Sequence, residues 1–262
     1  MRSLAAALLL GVGACTLVLD TDDLASGAGA DAGPSQAEAG AGDAAGDARA
    51  LDAVAPDATA PRLLADWPFD EGSGTSIRDA TKRGHDGMAT GGTWVMDALG
   101  AAASALELGG AVVNVPASAE LDRPAGAAFT LTAWMRRTGP LSHNLIVSVS
   151  FGNKDNSFGL EMQDDDTFVY YDGKEHIAPA KVAIADGSWN HFAAAVEGRE
   201  TAVFFNGKRV GIGLADDTPR ASTGLMLGGS TWGDRRKGAI DRVRIYAGAL
   251  TEEQVAEDME RP

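Results

Sequence analysis

The fold of this chain is decided by three segments of its last third: Trp189-Asn-His-Phe192, Asn206-Gly207 and Gly238-Ala-Ile-Asp-Arg-Val-Arg-Ile-Tyr246. Asn206-Gly207 follows the apolar run Thr201-Ala-Val-Phe-Phe205. It is the strongest short signal for a β-hairpin, because a type I′ turn requires positive φ at both central residues. Apolar and polar residues alternate at the end of the third segment, as they do in strands that bury one face. These segments predict antiparallel strands.

The same alternation extends towards the N-terminus, in Phe129-Thr-Leu-Thr-Ala-Trp-Met135, Leu145-Ile-Val-Ser-Val149 and Phe168-Val-Tyr-Tyr171. Helical periodicity is confined to Thr251-Glu-Glu-Gln-Val-Ala-Glu-Asp-Met259, where Thr251 is the predicted N-cap. Many short strands with tight turns and no βαβ rhythm predict an all-β, antiparallel two-sheet sandwich of the jelly-roll type.

Further motifs connect these segments to a known family. The chain contains Trp67-Pro-Phe-Asp-Glu-Gly-Ser-Gly-Thr75, then Ala105-Leu-Glu-Leu-Gly-Gly110 and Val112-Val-Asn-Val-Pro116. In this order, together with the C-terminal segments, they resemble the laminin-G-like domains of the concanavalin A-like lectin/glucanase family. The resemblance implies a jelly roll. It leaves function open, since this fold serves lectins, adhesion modules and glycan hydrolases.

The N-terminus has the features of an export signal. Residues 1–14 combine one basic residue with a short apolar run, as in a signal peptide. Val12-Gly-Ala-Cys15 resembles the bacterial lipobox, and Cys15 is the only cysteine, which rules out an intramolecular disulfide. We expect Cys15 to be lipidated and the protein to be exported and membrane-anchored, with Thr16 favouring the outer membrane or cell surface. The alternative is ordinary cleavage after Ala14.

Residues 15–61 have the composition of a tether. They are rich in Ala, Asp and Gly and lack aromatic residues, and residues 16–61 carry nine acidic side chains against one basic side chain. Such a segment cannot bury enough apolar surface to fold, so we expect it to be disordered and extended. A spacer and a tolerated low-complexity insert have the same composition. Residues 62–250 are then the laminin-G-like domain, and residues 251–262 a short C-terminal helix and tail.

The charge of the chain argues against one class of partner. The formal net charge is −15, and the only basic cluster is Arg235-Arg236-Lys237. A nucleic-acid-binding protein needs a basic stripe, so we expect no nucleic-acid partner. The small cluster is interpreted as a solvated loop.

The sequence contains no intact catalytic motif. Glu161-Met-Gln-Asp-Asp165 comes closest, since laminarinase-type hydrolases of this fold carry Glu-x-Asp-x-Glu on one strand. Here Gln163 is an uncharged amide, Asp165 is one methylene too short, and Asp164-Asp-Asp166 predicts a turn. We therefore expect no enzymatic activity. His191, inside a predicted strand, is interpreted as a structural histidine.

The resemblance also implies a structural calcium ion that joins the N-terminal segment to the last strand. Asp79 and Asp241 are the candidate ligands by resemblance, with Asp70 as a third. Many relatives carry a second acidic residue where this chain has Arg242, which argues against tight binding. The alternative is that these carboxylates cap turns.

A glycan site needs aromatic faces and polar groups in exposed loops. Trp232, in Gly228-Gly-Ser-Thr-Trp-Gly-Asp234, is the aromatic residue least easily assigned to the core. Its predicted companions are Asp234, Arg235, Tyr170, Tyr171, Asn144 and Asn156. The other four tryptophans are expected in the core: Trp67, Trp94, Trp134 and Trp189.

Three hypotheses for function follow. The first is a surface-anchored lipoprotein with a non-catalytic module that binds a glycan or another cell-surface ligand. The second is a structural or adhesion protein that binds another protein through its sheet faces or edge strands. The third is a divergent glycan hydrolase. The ligand and the oligomeric state do not follow from the sequence.

Overall fold

The computed structural model describes residues 60–139, 144–151, 153–163, 165–221, 223–229 and 237–261, with only the backbone for 144–151 and 153–156. The predicted signal peptide, Cys15 and most of the tether lie outside these ranges. The described residues form two antiparallel β-sheets, which confirms the predicted sandwich.

The first sheet contains eight strands. Seven of them follow one another in the order β14 (Lys208–Leu214), β13 (Glu200–Phe205), β12 (Trp189–Glu197), β7 (Phe129–Arg137), β16 (Gly238–Ala247), β5 (Ala105–Glu107) and β4 (Thr93–Val95). The eighth, β1 (Arg62–Trp67), pairs with the C-terminal half of β16 on the side that β5 occupies at the other half. The last strand is therefore held by the first strand of the domain.

The second sheet also contains eight strands. Their order is β11 (His176–Lys181), β10 (Thr167–Tyr171), β9 (Asn153–Met162), β8 (Asn144–Phe151), β15 (Leu225–Leu227), β6 (Val113–Val115), β3 (Gly87–Ala89) and β2 (Ser76–Ile77). A short 3-10 helix, Ala119–Leu121, follows β6. Sequence neighbours β8 to β11 are adjacent in this sheet, whereas β15 inserts between β8 and β6, which is the crossing connection of a jelly roll.

The predicted hairpin is confirmed between β13 and β14. Asn206 has φ 49° and Gly207 has φ 74°, as a type I′ turn requires. The Asn206 side-chain oxygen accepts a hydrogen bond from the His191 backbone N–H at 2.8 Å. The turn is thus fixed to strand β12 as well as to its own hairpin.

The core lies between the sheets, and strand β7 shows how the alternation builds it. Leu131, Ala133 and Met135 are fully buried and face the second sheet, while Thr130 and Thr132 face outward, as the sequence predicts. Each large apolar side chain that is buried in this way contributes about 1.5–3 kcal/mol. The largest fully buried apolar and aromatic side chains are Trp67, Phe69, Ile77, Leu106, Leu108, Leu131, Met135, Phe168, Tyr170 and Phe192.

Two of the four tryptophans expected in the core lie elsewhere. Trp67 is fully buried and Trp94 packs partly buried against the core, as predicted. Trp134 and Trp189 are half-buried on the outer face of the first sheet. Trp134 stands two positions from the outward Thr132 on the same strand, and the guanidinium of Arg136 lies over the ring of Trp189 at 5.3 Å. The prediction for these two was wrong because it used aromatic size and ignored strand phase.

Helix α1 (Glu252–Glu260) covers part of the outer face of the first sheet. It begins at the predicted N-cap, where Thr251 and Gln254 form a capping box. Val255 of the helix packs into a second apolar cluster with Ala193, Ala195, Phe204, Tyr246 and Leu250. Within the residues that the structure describes, no helix has the length and apolar composition that crossing a membrane requires.

Candidate ligand-binding site

The outer face of the second sheet brings together polar and aromatic side chains from three strands. On β10, Phe168 and Tyr170 point into the core, so Tyr171 points outward. Tyr171 pairs with His176, the first residue of β11. On β9, Leu160 and Met162 point inward, which leaves Glu161 on the same outer face. Together with Gln163, which follows β9, these residues form what we call the Glu161–His176 cluster.

The contacts in the cluster centre on the imidazole ring. His176 Nε2 lies 3.3 Å from Glu161 Oε2, and His176 Nδ1 lies 3.0 Å from the Gln163 side-chain nitrogen. An amide nitrogen only donates, so Nδ1 accepts, and Nε2 carries the N–H that faces the carboxylate. The Tyr171 and His176 rings are 5.5 Å apart and tilted by 49°. The Tyr171 hydroxyl donates to the Gly173 carbonyl at 2.9 Å, which fixes the orientation of the ring.

The cluster has a buried base and an exposed rim. The Glu161 side chain is 8% exposed, whereas that of His176 is 43% exposed. A buried carboxylate beside an accessible imidazole, an amide and an aromatic ring offers hydrogen-bonding groups next to an apolar surface. This combination suits the hydroxyl groups and C–H faces of a sugar.

Sequence reasoning located part of this cluster. Tyr171 was predicted as a ligand residue and lies in it. Tyr170 was predicted to lie with Trp232 on an exposed surface, and this is wrong, because it is fully buried in the core. His176 was missed, since only the pairing of β10 with β11 reveals that it stands beside Tyr171. Glu161 and Gln163 were weighed only as remnants of a catalytic motif.

The remaining predicted ligand residues lie outside what the structure describes. Trp232, Asp234 and Arg235 belong to residues 230–236. The Asn144 and Asn156 side chains are likewise outside the described part, although the Asn144 backbone opens β8 and pairs with Met162 of β9. Their role in binding stays a prediction.

Asp165 does not continue the face of Glu161. Strand β9 ends at Met162, and Asp165 lies in the turn before β10, where Asp166 has φ 60°. Hydrogen bonds from Lys181 and Thr167 lower the pKa of Asp165 to about 2. Its carboxylate lies 2.5 Å from the Lys181 ammonium. The predicted turn is therefore present, and it separates Asp165 from the strand that carries Glu161.

Asp79, the first predicted calcium ligand, organises its own loop. Its carboxylate accepts hydrogen bonds from the Thr81 hydroxyl at 2.6 Å and from the backbone N–H groups of Asp66, Thr81, Arg83 and His85. It also lies 3.1 Å from His85 Nδ1. Burial raises the pKa of Asp79, but these hydrogen bonds outweigh it, and the net direction is downward. Both oxygens are thus already engaged within the protein.

The other two predicted ligands lie near Arg242. Asp241 is fully buried, and its Oδ2 accepts from Arg242 Nε at 2.9 Å. Burial raises the pKa of Asp241 to about 7, against the opposing charge of Arg242. Asp70 is exposed, and partial burial with the charge of Asp97 raises its pKa. Across the described residues, no group of three or more His, Cys, Asp or Glu side chains is arranged to hold a metal ion. These carboxylates do not fit a calcium site.

His191 lies beneath helix α1, where it serves as a structural residue. It is 1% exposed, and its Nε2 lies 3.6 Å from Asp258 Oδ2. Burial lowers the pKa of His191, although Asp258 opposes this effect. The ring of Trp134 packs against it at 5.5 Å. The neutral imidazole therefore belongs to the packing of the helix.

A sequence model of the concanavalin A-like lectin/glucanases superfamily matches residues 108–256. The chain belongs to this superfamily, as its motifs indicated. No curated protein sequence matches the chain significantly.

Solved structures share the fold. Domain 4 of a GH43 extracellular arabinanase from Geobacillus stearothermophilus, in complex with arabinotriose, has a TM-score of 0.62 at 22% identity, covering 76% of this chain and 99% of the domain. The binding domain of Paraclostridial Mosquitocidal Protein 1 has a TM-score of 0.56 at 14% identity, covering 76% of this chain and 52% of that one. Trypanosoma rangeli sialidase in complex with 2,3-difluorosialic acid has a TM-score of 0.57 at 14% identity, covering 75% of this chain and 32% of the sialidase. At these identities the similarity shows the fold.

Proposed function

We propose that this protein is a non-catalytic glycan-binding module, and that it binds sugar at the Glu161–His176 cluster. The observation that carries the proposal is the placement of Tyr171 and His176 beside a buried carboxylate on the outer face of the second sheet. The arabinanase domain of the same fold was solved with arabinotriose, which supports an oligosaccharide as the ligand class. Trp232, Asp234, Arg235 and Asn144 are proposed as further contacts.

Charge narrows the class of glycan. The chain carries a net charge of −15, and the cluster itself contains the carboxylate of Glu161. The negative charge of the protein would repel an anionic sugar that comes within about a Debye length. The charged group of that sugar would also lose its hydration beside the buried carboxylate of Glu161. We therefore propose a neutral glycan whose hydroxyl groups donate to Glu161.

The absence of catalysis is part of the same proposal. Hydrolysis of a glycosidic bond normally uses two carboxyl groups about 5–10 Å apart. Asp165, the nearest candidate in the sequence, is exposed in a turn and paired with Lys181. Glu161 instead faces the His176 imidazole, and the Gln163 amide contacts the other side of that ring, which is an arrangement for binding.

We further propose that the module is attached to a membrane through Cys15. Residues 15–61 would act as a flexible spacer between the lipid and the domain that starts at β1, with the outer membrane or cell surface as its location. Such a tether raises the local concentration of modules at the surface, so that weak binding of single sugars adds up.

A glycan array tests the proposal directly. The purified chain is applied to neutral arabino-, xylo- and gluco-oligosaccharides and to sialylated oligosaccharides of similar length, at two salt concentrations. Binding to a neutral class that is lost in Tyr171→Ala supports it. Binding only to sialylated glycans, or reducing-sugar release from any of them, would contradict it.

A second candidate function, adhesion to a protein, rests on a different surface. Val210, Ile212 and Leu214 form an apolar row on edge strand β14, with Ile212 74% exposed. Gly211 and Gly213 on the inner side pack against the backbone of Ala178, where a Cβ at Gly211 would lie 2.7 Å from the carbonyl oxygen. This packing leaves no room for side chains on the inner side of β14, so the apolar row lies on its outer side.

The charge and the apolar side chains of that surface indicate which kind of partner it would bind. A groove of about 800 Å³ runs between β13, β14 and the start of α1. Its acidic side chains are Glu197, Glu200, Glu252 and Glu253, against the single base Arg209. The complementary partner is a protein segment with apolar and basic side chains. Loss of partner binding in Ile212→Ser, with glycan binding retained, would assign adhesion to this groove.

A further inference from the structure

Strand β16 is irregular where it carries Arg242. Its register with β7 shifts between Asp241 and Arg244, and Arg242 has φ 41°. A left-handed backbone at a non-glycine residue is strained and persists only where its surroundings hold it. The contacts of the Arg242 side chain supply such surroundings.

The Arg242 side chain ends among carboxylates from three parts of the chain. Its Nε and Nη2 each lie 2.9 Å from Asp241 Oδ2, and Nη2 lies 3.9 Å from Asp97 Oδ2. Asp97 belongs to the loop after β4, where its Oδ1 accepts from the N–H groups of Leu99 and Ala101. Asp70, after β1, lies close enough for the charges of Asp97 and Arg242 to act on it.

An aromatic ring completes this environment. The guanidinium carbon lies over the Trp134 ring at 5.4 Å, and the Arg242 side chain is 3% exposed. A buried carboxylate must be paired, and a guanidinium that is partly desolvated over an indole gains a cation–π contribution. The Arg242 side chain therefore connects four parts of the domain: the loop that carries Asp70, the loop that carries Asp97, and the strands β7 and β16.

We propose that Arg242 is a built-in cation that performs here the joining role which resemblance assigns to a calcium ion. Calcium takes six to eight oxygen ligands. In this protein Asp241 Oδ2 accepts a hydrogen bond from Arg242 Nε, and only Asp241 Oδ1 of that carboxylate makes none. Trp134 offers no oxygen, and Asp79 is engaged in its own loop. The stability of the domain is then independent of calcium and dependent on the charge of Arg242.

The first arm of the test uses the wild-type chain alone. We expect the thermal midpoint in 5 mM EDTA and in 5 mM CaCl₂ to agree within about 1 °C, which corresponds to a small fraction of a kcal/mol for a domain of this size. A midpoint that rises with calcium by about 4 °C or more, reversibly with EDTA, would overturn the proposal.

The second arm tests the charge. Arg242→Met keeps an unbranched apolar stem but removes the guanidinium, which leaves Asp241 buried without a counter-charge, so the midpoint should fall by about 5 °C or more. The double substitution Asp241→Asn with Arg242→Met removes both charges and should recover part of that loss. Arg209→Met, at an exposed position on β14, controls for the loss of one positive charge from an acidic protein.

If Arg242→Met does not fold, recovery of soluble folded protein in the double variant is the readout. Recovery of either the midpoint or folding supports the built-in cation. Equal or greater loss in the double variant would show that Arg242 acts by packing alone and would overturn the proposal.

Discussion

His176 Nε2 lies 3.3 Å from Glu161 Oε2, although the two residues belong to strands separated by β10. The contact passes over the outer face of β10, whose residue Val169 pairs with Glu161 and whose Tyr171 pairs with His176. The register between β10 and β11 shifts between Phe168 and Tyr170. This irregularity sets which residue of β11 stands opposite Tyr171. The cluster therefore depends on a bulge, which is a common device for re-aiming side chains near functional sites.

Truncating the rings of this cluster should remove glycan binding. Loss of an aromatic anchor costs on the order of 2 kcal/mol, or at least tenfold in affinity, so Tyr171→Ala and His176→Ala should each weaken binding by about that factor. Tyr171→Phe keeps the ring and should bind nearly as well. Titration calorimetry with the oligosaccharide found on the array measures each constant.

The control for this prediction is Ile212→Ser, an exposed substitution on the first sheet. It should leave the glycan constant unchanged. If Tyr171→Ala binds as tightly as wild type while Trp232→Ala does not, the site includes residues 230–236 and does not include the cluster.

The fold could be predicted from the sequence because its signals are local. Alternation gave the inward faces of β7 and β10, and Asn206-Gly207 gave the hairpin. The positions of Trp134 and Trp189 were predicted wrongly, because that prediction rested on aromatic size, which does not distinguish the core from the outer face of a sheet. Strand phase would have placed both on the outer face.

The candidate site was harder to predict from the sequence. Its residues come from different strands, and the register between those strands determines which of them are neighbours. Tyr171 and Glu161 were each visible as residues on a strand, but the bulge that sets His176 opposite Tyr171 has no sequence signature. Likewise, Arg242 could be seen to replace an acidic residue of relatives, yet its partner Asp97 lies 145 positions earlier in the chain and became visible only in the structure. Long-range pairing of charges is set by topology, which short motifs do not encode.

The hairpin turn gives a prediction for stability. Gly207 has φ 74°, and a Cβ there would lie 3.4 Å from Ala256 of helix α1. Gly207→Ala should destabilise the domain by about 1 kcal/mol or more, because an L-residue in the left-handed region is strained. Chemical denaturation measures the difference. Lys208→Ala, at the next position and exposed, should change stability by less than about 0.5 kcal/mol.

The anchor gives a prediction for location. If Cys15 carries acyl chains, the wild-type protein should enter the detergent phase on Triton X-114 partitioning, and Cys15→Ser should stay in the aqueous phase. The substitution Thr16→Ser serves as a matched control, because it changes the neighbouring residue and leaves the cysteine intact. Equal partitioning of wild type and Cys15→Ser would contradict lipidation at Cys15.

Helix α1 is docked through a carboxylate that acid should neutralise. Asp258 is buried, and its carboxylate receives hydrogen bonds from Tyr246 and Arg244. His191 Nε2 lies 3.6 Å from the same carboxylate. Two further charged side chains, those of Asp66 and Arg261, also lie near Asp258. Burial raises the pKa of Asp258, but His191, Arg244 and Tyr246 outweigh it and hold the pKa at about 2. In the unfolded chain the carboxyl group returns to its ordinary pKa of 3.8.

Acid should therefore destabilise the domain in two stages. His191 has a lowered pKa in the folded protein, so the unfolded chain binds its proton first, and stability declines as the pH falls below about 6.5. Asp258 contributes stability that is complete above pH 3.8 and is lost as the pH falls towards 2, on the order of 2 kcal/mol. Thermal midpoints between pH 7 and pH 2.5 test both stages. Asp258→Asn should melt lower at pH 7, because Arg244 loses one of its two carboxylate partners and keeps only Asp66, and should show a shallower decline below pH 4. Parallel curves for wild type and Asp258→Asn across that range would show that the docking of α1 does not depend on this carboxylate.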